Sequence, residues 1–404
     1  MIYLISLLVF TGVIGILVAV LLFVEAKVTS QGEHKIVINN KESEPVTVNG
    51  TPTLLSALSN QDIFLPSACG GSGSCGMCKC QVTEGGGAVL PTELAHLSRK
   101  DKMNNIRLSC QLKVKDDMKI RVPESIFGIK KIEATVVSND NVATFIKELV
   151  PKPDEPLDFE AGAYIQIDVP EYDLTFKDFQ IDSKYVSEWK KYNLFELAAQ
   201  GIKPGFRAYS MANPPYDKDI VMLNVRIATP PPGAAGIPPG FGSSYIFALK
   251  AGDRVTISGP YGDFMAQNTE REMCFIGGGA GMAPLRSHIF HQTRGINSGR
   301  KISYWYGARS KKEMFYDDDF RQLEKDFPNF RYNIALSSPE DDDDWSGLTG
   351  FIHNHLCDSY LCKHEDPTEI EYYLCGPPPM IDAVIDALYE MGVEDDMIFY
   401  DKFS

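Results

Sequence analysis

CGGSGSCGMCKC, Cys69 to Cys80, places four cysteines within twelve residues, and the next cysteine is Cys110, in RLSCQ. Cys69-x5-Cys75-x2-Cys78 with the distant Cys110 supplies four thiolates. Soft sulfur ligands select zinc or an iron–sulfur centre. A structural zinc site usually pairs two short knuckles, whereas here one glycine-rich loop brings three ligands and the fourth arrives alone. The two-iron spacing Cys-x4-Cys-x2-Cys plus a distant Cys differs only by one residue in the first gap. Zinc stays open as the alternative. Glycines 70, 71, 73 and 76 are expected to turn backbone N–H groups toward the sulfurs. Cys80 falls in what should be the strand leaving the loop, and is expected to be a packed thiol.

Short alternating runs surround the loop: KIVINN, EPVTVNG, a helix-like TLLSALSNQ, then KCQVTEG, RLSCQLKV and MKIRVP. Strands with one interleaved helix predict a compact α+β unit over residues 33–127. Over residues 128–268, IEATVVS, AYIQIDV, IVMLNVRIA and DRVTISGP punctuated by Gly and Pro predict an antiparallel barrel. PPPGAAGIPP (Pro230–Pro239) reads as a loop. Over residues 269–404, MCFIGGG, ISYWYGAR, FRYNIALS and EYYLCGPP alternate with helical stretches, which predicts a parallel, doubly wound α/β sheet. The acidic run Glu340–Asp344 reads as a solvated loop. His353, His355 and Cys357 (HNHLC) resemble a metal box, but i and i+2 do not share a helix face, and a structural role is expected.

The chain has 404 residues and nine cysteines, five of them in the first domain, which fits a reduced compartment with one metal site better than a disulfide framework. Residues 1–127 carry 12 Lys/Arg against 11 Asp/Glu, and residues 128–404 carry 27 against 43. An acidic body without a basic stripe argues against nucleic acid as a partner. Ile2–Val24 has no charged residue. As a helix it spans roughly 35 Å, enough for a hydrocarbon core of about 30 Å. It lacks a basic n-region and a cleavage site, so residues 1–25 read as a retained single-pass anchor rather than a signal peptide. Lys27 and Lys35 follow it and no cation precedes it, which places the body in the cytoplasm.

Downstream, Arg207-Ala208-Tyr209-Ser210, GFGSSY with Ser243, and GPYGDF (Gly259–Phe264) occur in order. Gly279-x-Gly281-x-x-Pro284 follows a strand and opens a helix, where backbone can approach a pyrophosphate. Cys375-Gly376-Pro377-Pro378 and the terminal FYDKFS complete the set. These motifs resemble the ferredoxin:NADP reductase superfamily, and residues 33–127 resemble a β-grasp 2Fe-2S ferredoxin domain. With the N-terminal anchor and the long stretch between Tyr164 and Arg207, the whole chain is similar to the F subunits of bacterial sodium-translocating NADH:quinone oxidoreductases.

The resemblance implies FAD, a 2Fe-2S cluster on Cys69, Cys75, Cys78 and Cys110, and NADH as substrate. Arg207 would pair with the FAD pyrophosphate, Tyr209 would stack on the isoalloxazine, Ser210 would reach flavin N5, and Ser243 would make a second phosphate contact. Gly279, Gly281 and Pro284, with Gly376 and Pro377, would hold NADH, Cys375 would lie beside the nicotinamide, and Phe403 would cover the flavin. Ser210, Cys375 and Phe403 are the implied catalytic residues. The implied setting is the bacterial inner membrane, with other membrane subunits as partners and ubiquinone reached through them. SPEDDDD after Ser337 favours NADH over NADPH, although Arg309, Lys311 and Lys312 are close by. The rivals are an NADH-dependent reductase component of a multicomponent oxygenase, and a tethered electron carrier without NADH turnover.

Overall fold

The computed structural model describes residue 6 and residues 9–20, 32–231, 236–341 and 343–402. It forms two compact units, Met1–Ile129 and Lys130–Ser404. Of the apolar run Ile2–Val24, residue 6 and residues 9–20 are described, and they are helical and exposed; the rest lies outside the described residues. Among the described residues, no helix is long and apolar enough to cross a membrane.

In the first unit, β1 (Glu33–Ile38) and β2 (Val46–Asn49) pair antiparallel and lead into α1 (Leu54–Ser59). The Thr53 hydroxyl caps α1 by accepting from Ser56 N at 3.2 Å. β3 (Lys79–Glu84), α2 (Arg99–Met103), β4 (Ile106–Leu108) and β5 (Met118–Arg121) follow, and the sheet order is β2-β1-β5-β3-β4. β5 runs parallel to β1, which places the first and last strands side by side in the centre. Their inward residues Ile36, Ile38, Met118 and Ile120 are buried, as are Leu54, Leu55 and Leu58 of α1. RLSCQLKV is not one strand: β4 stops at Leu108, whose carbonyl accepts from both Gln111 and Leu112 amides at 3.0 and 3.1 Å. That turn brings Cys110 round to the cysteine loop, where Ser109 N donates to Cys78 O at 2.9 Å.

The second unit begins with β6 (Lys130–Ala143), β7 (Ile146–Pro153), β8 (Tyr164–Val169), β9 (Tyr172–Thr175), α3 (Val186–Lys191), β10 (Ala198–Gly201), β11 (Gly205–Ser210), β12 (Leu223–Arg226), α4 (Phe241–Ala248) and β13 (Arg254–Tyr261). Six of these strands form an antiparallel sheet in the order β11-β8-β13-β6-β7-β12. An antiparallel bridge between Met211 and Leu223 joins its two edges, so the sheet curls into a barrel around Ile165, Ile167, Val225, Val255 and Ile257. The stretch between β8 and β11 is an ordered lobe. Its β9–β10 hairpin and α3 bury Trp189, whose indole N–H donates to Thr144 O at 2.7 Å, against Phe176, Phe179 and Phe247.

β14 (Met273–Gly278), α5 (Met282–Phe290), β15 (Ile302–Ala308), α6 (Asp317–Asp326), β16 (Phe330–Leu336), β17 (Leu348–Thr349), α7 (Ile352–Ser359), β18 (Glu371–Gly376), α8 (Pro378–Glu390) and β19 (Ile398–Lys402) build a parallel sheet in the order β17-β16-β15-β14-β18-β19. Every residue of β14 and β18 is buried, as strands covered on both faces require. Met273 and Phe275 pack with α5 and α6, while Cys274 and Ile276 pack with α7 and α8. The order runs outward from β14 in one direction and then restarts at β18. The crevice at the carboxyl ends of β14 and β18 is therefore the switch point of the sheet, where such folds bind ligands.

Candidate functional site

Three cysteines of the loop and Cys110 lie as two thiol pairs. Cys75 Sγ donates to Cys69 Sγ at 3.3 Å, and Cys78 is paired with Cys110. The hydrogen bond from Cys75 holds the Cys69 thiol down to about 2, with the Ser72 side chain and the Ser74 and Cys75 amides adding to it. The Cys110 thiol is lowered in the same way by Cys78, then by Gln111, whose Nε2 lies 3.5 Å from Cys110 Sγ. In each pair the shared hydrogen bond lowers one thiol and raises its partner, Cys75 or Cys78. Gly73, at φ +87°, is where the loop passes closest to Gln111: a Cβ there would lie 2.4 Å from its amide nitrogen. Two thiol pairs ringed by inward amides fit a two-iron, two-sulfur centre. Cys80 is buried in β3, its thiol pushed up to about 12 by burial.

A buried ion pair that no motif flagged supports this loop. Glu93 and Arg107 are both in the core, with Arg107 Nη2 2.6 Å from Glu93 Oε2. Arg107 also donates to Ala88 O at 3.0 Å and Gly87 O at 3.2 Å. Glu93 accepts from Leu90 N at 2.8 Å and Leu108 N at 2.9 Å. Burial pushes the Glu93 carboxyl up, but Arg107 and these two amides more than offset it and leave the value lowered. The pair ties residues 86–93 to β4, two residues before Cys110.

In the barrel, Arg207 and Tyr209 lie on β11 under the first turn of α4. A Cβ on Gly242 would sit 2.5 Å from Arg207 Cγ and 2.7 Å from the Tyr209 hydroxyl. The Arg207 guanidinium lies 5.0 Å from the centre of the Phe241 ring and, among the described residues, has no carboxylate partner in an ion pair. The Ser243 hydroxyl is taken up by backbone, accepting from Ala228 N at 3.1 Å and donating to Gly240 O at 3.3 Å. Arg207 Nη1 also donates to Phe206 O at 2.7 Å, and a guanidinium without a carboxylate partner beside the start of α4 is suited to a pyrophosphate.

The remaining predicted residues gather at the sheet's switch point. A cavity of about 480 Å³ is lined by Gly278, Gly279, Tyr306, Arg309, His353 and Pro377, among others. Gly281 rests on β18 so closely that a Cβ would fall 2.1 Å from Cys375 O. Pro284 sits in the first turn of α5, where its missing N–H is no loss. Cys375 is fully buried, and burial raises its thiol well above the ordinary value.

Asp401 is the crevice residue that sequence reasoning missed. It pairs in register with Cys375 across β18 and β19, and its Oδ2 accepts from Ser210 Oγ at 3.1 Å. Burial raises its carboxyl above the ordinary range. It therefore joins Ser210, from the barrel, to Cys375, from the parallel sheet. FYDKFS contains it, but the motif there is carried by the final aromatic; Phe403 lies outside the described residues.

Two smaller expectations resolve as follows. In the acidic run, Asp343 is buried and accepts from the amides of Lys311 and Glu340 at 3.0 and 2.8 Å, so the loop is folded in rather than solvated throughout. Of the HNHLC residues, His355 bonds Thr349 O at 2.9 Å, His353 lines the cavity, and Cys357 packs against the α7–α8 core.

Residues 36–115 match the 2Fe-2S iron-sulfur cluster binding domain, and residues 275–386 match the oxidoreductase NAD-binding domain. Among solved structures, the cytochrome P450 reductase GcoB of Amycolatopsis is similar at a TM-score of 0.62 and 25% identity, covering 92% of this chain and 98% of its own. The ferredoxin reductase in carbazole 1,9a-dioxygenase is similar at 0.60 and 26%, covering 92% and 99%. Curated relatives are much nearer in sequence. The F subunit of the Na(+)-translocating NADH-quinone reductase of Neisseria meningitidis is 52% identical over 398 residues, 98% of each chain. That of Serratia proteamaculans is 51% identical over 397 residues, again 98% of each. With half its residues shared over nearly its full length, the chain belongs to the family of F subunits of Na(+)-translocating NADH-quinone reductases.

Proposed function

We propose that the chain is the NADH-oxidising, electron-input subunit of a sodium-translocating NADH:quinone oxidoreductase. Residues 128–268 hold FAD through Arg207, Tyr209, Ser210 and Ser243, and residues 269–404 bind NADH through Gly279, Gly281, Pro284, Gly376 and Pro377. Cys69, Cys75, Cys78 and Cys110, in residues 33–127, ligate the 2Fe-2S cluster. When bound, FAD would supply the conversion between the two-electron chemistry of NADH and the one-electron chemistry of the cluster. The protein's part is to hold, orient and desolvate. Arg207 neutralises phosphate charge, the glycine loop lets backbone approach the dinucleotide, and buried Ser210 and Cys375, with half-buried Asp401, line the reacting edge. Phe403 is assigned the covering role by likeness to the superfamily alone.

One observation carries the reading: Ser210 and Cys375, from different sheets, are brought together by Asp401. NADH is favoured over NADPH because the acidic loop occupies two of the three nearby cations, leaving only Arg309 on the cavity wall. Lys312 pairs with Glu340 at 2.6 Å, and Lys311 Nζ donates to Asp343 O at 3.0 Å. The apolar run Ile2–Val24, part of it an exposed helix over residues 9–20, supports a single-pass anchor in the bacterial inner membrane with the two units cytoplasmic. Electrons then continue through other membrane subunits to ubiquinone.

Purified protein is expected to contain FAD and two irons per chain and to reduce ferricyanide with NADH. Stoichiometric zinc in place of iron, or absence of NADH turnover, would overturn the reading. The likeness to reductases of oxygenase systems favours a second one, a reductase feeding a hydroxylase. Deleting residues 1–25 decides between them. The anchored-subunit reading expects NADH:ferricyanide turnover to survive and NADH:quinone activity in membranes to collapse; equal quinone activity at equal concentration favours the oxygenase reductase.

A further inference from the structure

Helix α5 touches both sides of the crevice. Its start rests on β18 at Gly281, beside the Cys375 carbonyl. Just over one turn later, two side chains reach the barrel: Arg286 Nη1 donates to Ala212 O at 3.0 Å, and Ser287 Oγ donates to Asn213 O at 2.8 Å. Both side chains are buried. The carbonyls they hold belong to the stretch immediately after Ser210. Other groups of that stretch are already taken by the barrel. Met211 N donates to Ala163 O at 3.0 Å, Ala212 N donates to Met222 O at 2.7 Å, and the Asn213 side chain bonds Asp217 O and Ile220 O at 2.9 and 2.8 Å. The barrel thus holds the amides of Met211 and Ala212, and α5 holds the carbonyls of Ala212 and Asn213.

Arg286 is itself fixed from outside the helix. Its guanidinium lies 4.8 Å from the centre of the Tyr316 ring and 3.3 Å from Asp319 of α6, and the Tyr316 hydroxyl donates to Glu148 of β7. Packing alone does not call for a serine at position 287, since an alanine would fill most of the same volume. The hydroxyl is there for a carbonyl that would otherwise be buried with one partner fewer.

We infer that Arg286 and Ser287 are positioning residues for hydride transfer: through α5 they fix the separation between the Ser210 side and the Cys375 side of the crevice. The inference rests on the reading of that crevice as the hydride site. A misplacement of about 1 Å between reacting partners costs on the order of a hundredfold in rate. A fault here therefore appears in the transfer step rather than in binding.

The test uses the full chain with FAD bound, mixed with saturating NADH in stopped flow. Ser287→Ala and Arg286→Met should each slow flavin reduction roughly tenfold or more. NADH Kd should stay within about twofold, because neither residue touches the cavity. Two readouts separate positioning from general stability. With NADH deuterated at the transferred position the primary isotope effect should rise, and the long-wavelength charge-transfer absorbance of the complex should weaken. The double variant should be little slower than the slower single, because both act through one element. Reduction at the parent rate in both variants overturns the inference, as does a slower rate fully explained by weaker NADH binding. If Ser287→Ala fails to fold, Arg286→Met against Arg286→Lys decides: only the lysine, which keeps a cation and a donor, should restore the rate, and equal rates sink the proposal. A parent protein that binds FAD but is not reduced by NADH defeats the hydride-site reading instead.

Discussion

The cysteine loop and the dinucleotide crevice, the two proposed redox sites, are built in opposite ways. The loop offers three proposed ligands within ten consecutive residues, Cys69 to Cys78, and only Cys110 comes from a turn nearby. The crevice draws on β11, the β14–α5 junction, β18 and β19, and its central hydrogen bond joins Ser210 to Asp401, 191 residues apart. A locally built site loses its whole group when one ligand is removed. An assembled site loses a step or a fraction of affinity, because each contributing element is fixed by its own packing.

The sharpest break of that comparison lies in the loop. Alanine at Cys69, Cys75, Cys78 or Cys110 should abolish the paramagnetic signal of the reduced cluster, while Cys80→Ala keeps it; loss of the signal in Cys80→Ala would redraw the ligand set. Next comes the ion pair beneath the loop. Arg107→Met leaves Glu93 charged and buried, which costs about 3–5 kcal/mol. The cluster's visible absorbance should bleach at lower urea, while NADH:ferricyanide turnover, which needs only the second unit, persists. The Glu93 carboxyl is lowered in the folded state, so the stability it confers is present above its unfolded value of about 4.3 and is lost as pH falls below that. Acid should therefore bleach the parent cluster sooner than it stops ferricyanide reduction.

In the crevice the expected losses are smaller. Gly281→Ala drives a methyl into the Cys375 carbonyl, an overpacking of about 1–3 kcal/mol, read as weaker NADH binding with FAD retained. Ser210→Ala removes one hydrogen bond worth about 0.5–1.5 kcal/mol, so flavin reduction should slow by roughly two- to tenfold with FAD occupancy unchanged. Arg207→Ala should do the reverse, lowering FAD occupancy first. The smallest effect concerns Asp401. Its carboxyl is raised, so the folded state holds that proton more tightly, and the charged form costs stability once pH passes the folded value. Asp401→Asn should then raise the thermal midpoint of the second unit more at pH 7 than at pH 4, and should remove any inflection in the reduction rate above about pH 4.

The same contrast explains what could be read beforehand. Ligand spacing, Arg-x-Tyr-Ser and the glycine run are local patterns that can be read from a few consecutive residues. Barrel and parallel sheet were legible too, because alternation and buried runs announce strands within a few residues. Asp401, Glu93, Arg286 and Ser287 were not, because a carboxylate or hydroxyl declares its partner only when distant strands come together. The turn at Cys110 escaped for a related reason: RLSCQLKV alternates like a strand, yet Leu108 O takes two turn hydrogen bonds instead of a sheet partner.

The lobe around Trp189 has a practical side. The chain has three tryptophans. Trp189 is sealed among Phe176, Phe179 and Phe247, and Phe247 belongs to α4, the helix whose other end faces the proposed flavin phosphates. A rigid, water-free indole emits toward the blue, in a range where oxidised flavin absorbs. Bound cofactor should therefore dim this lamp by energy transfer and apoprotein should brighten it. Loading and release of FAD could then be followed in real time by intrinsic ultraviolet emission, with no added dye.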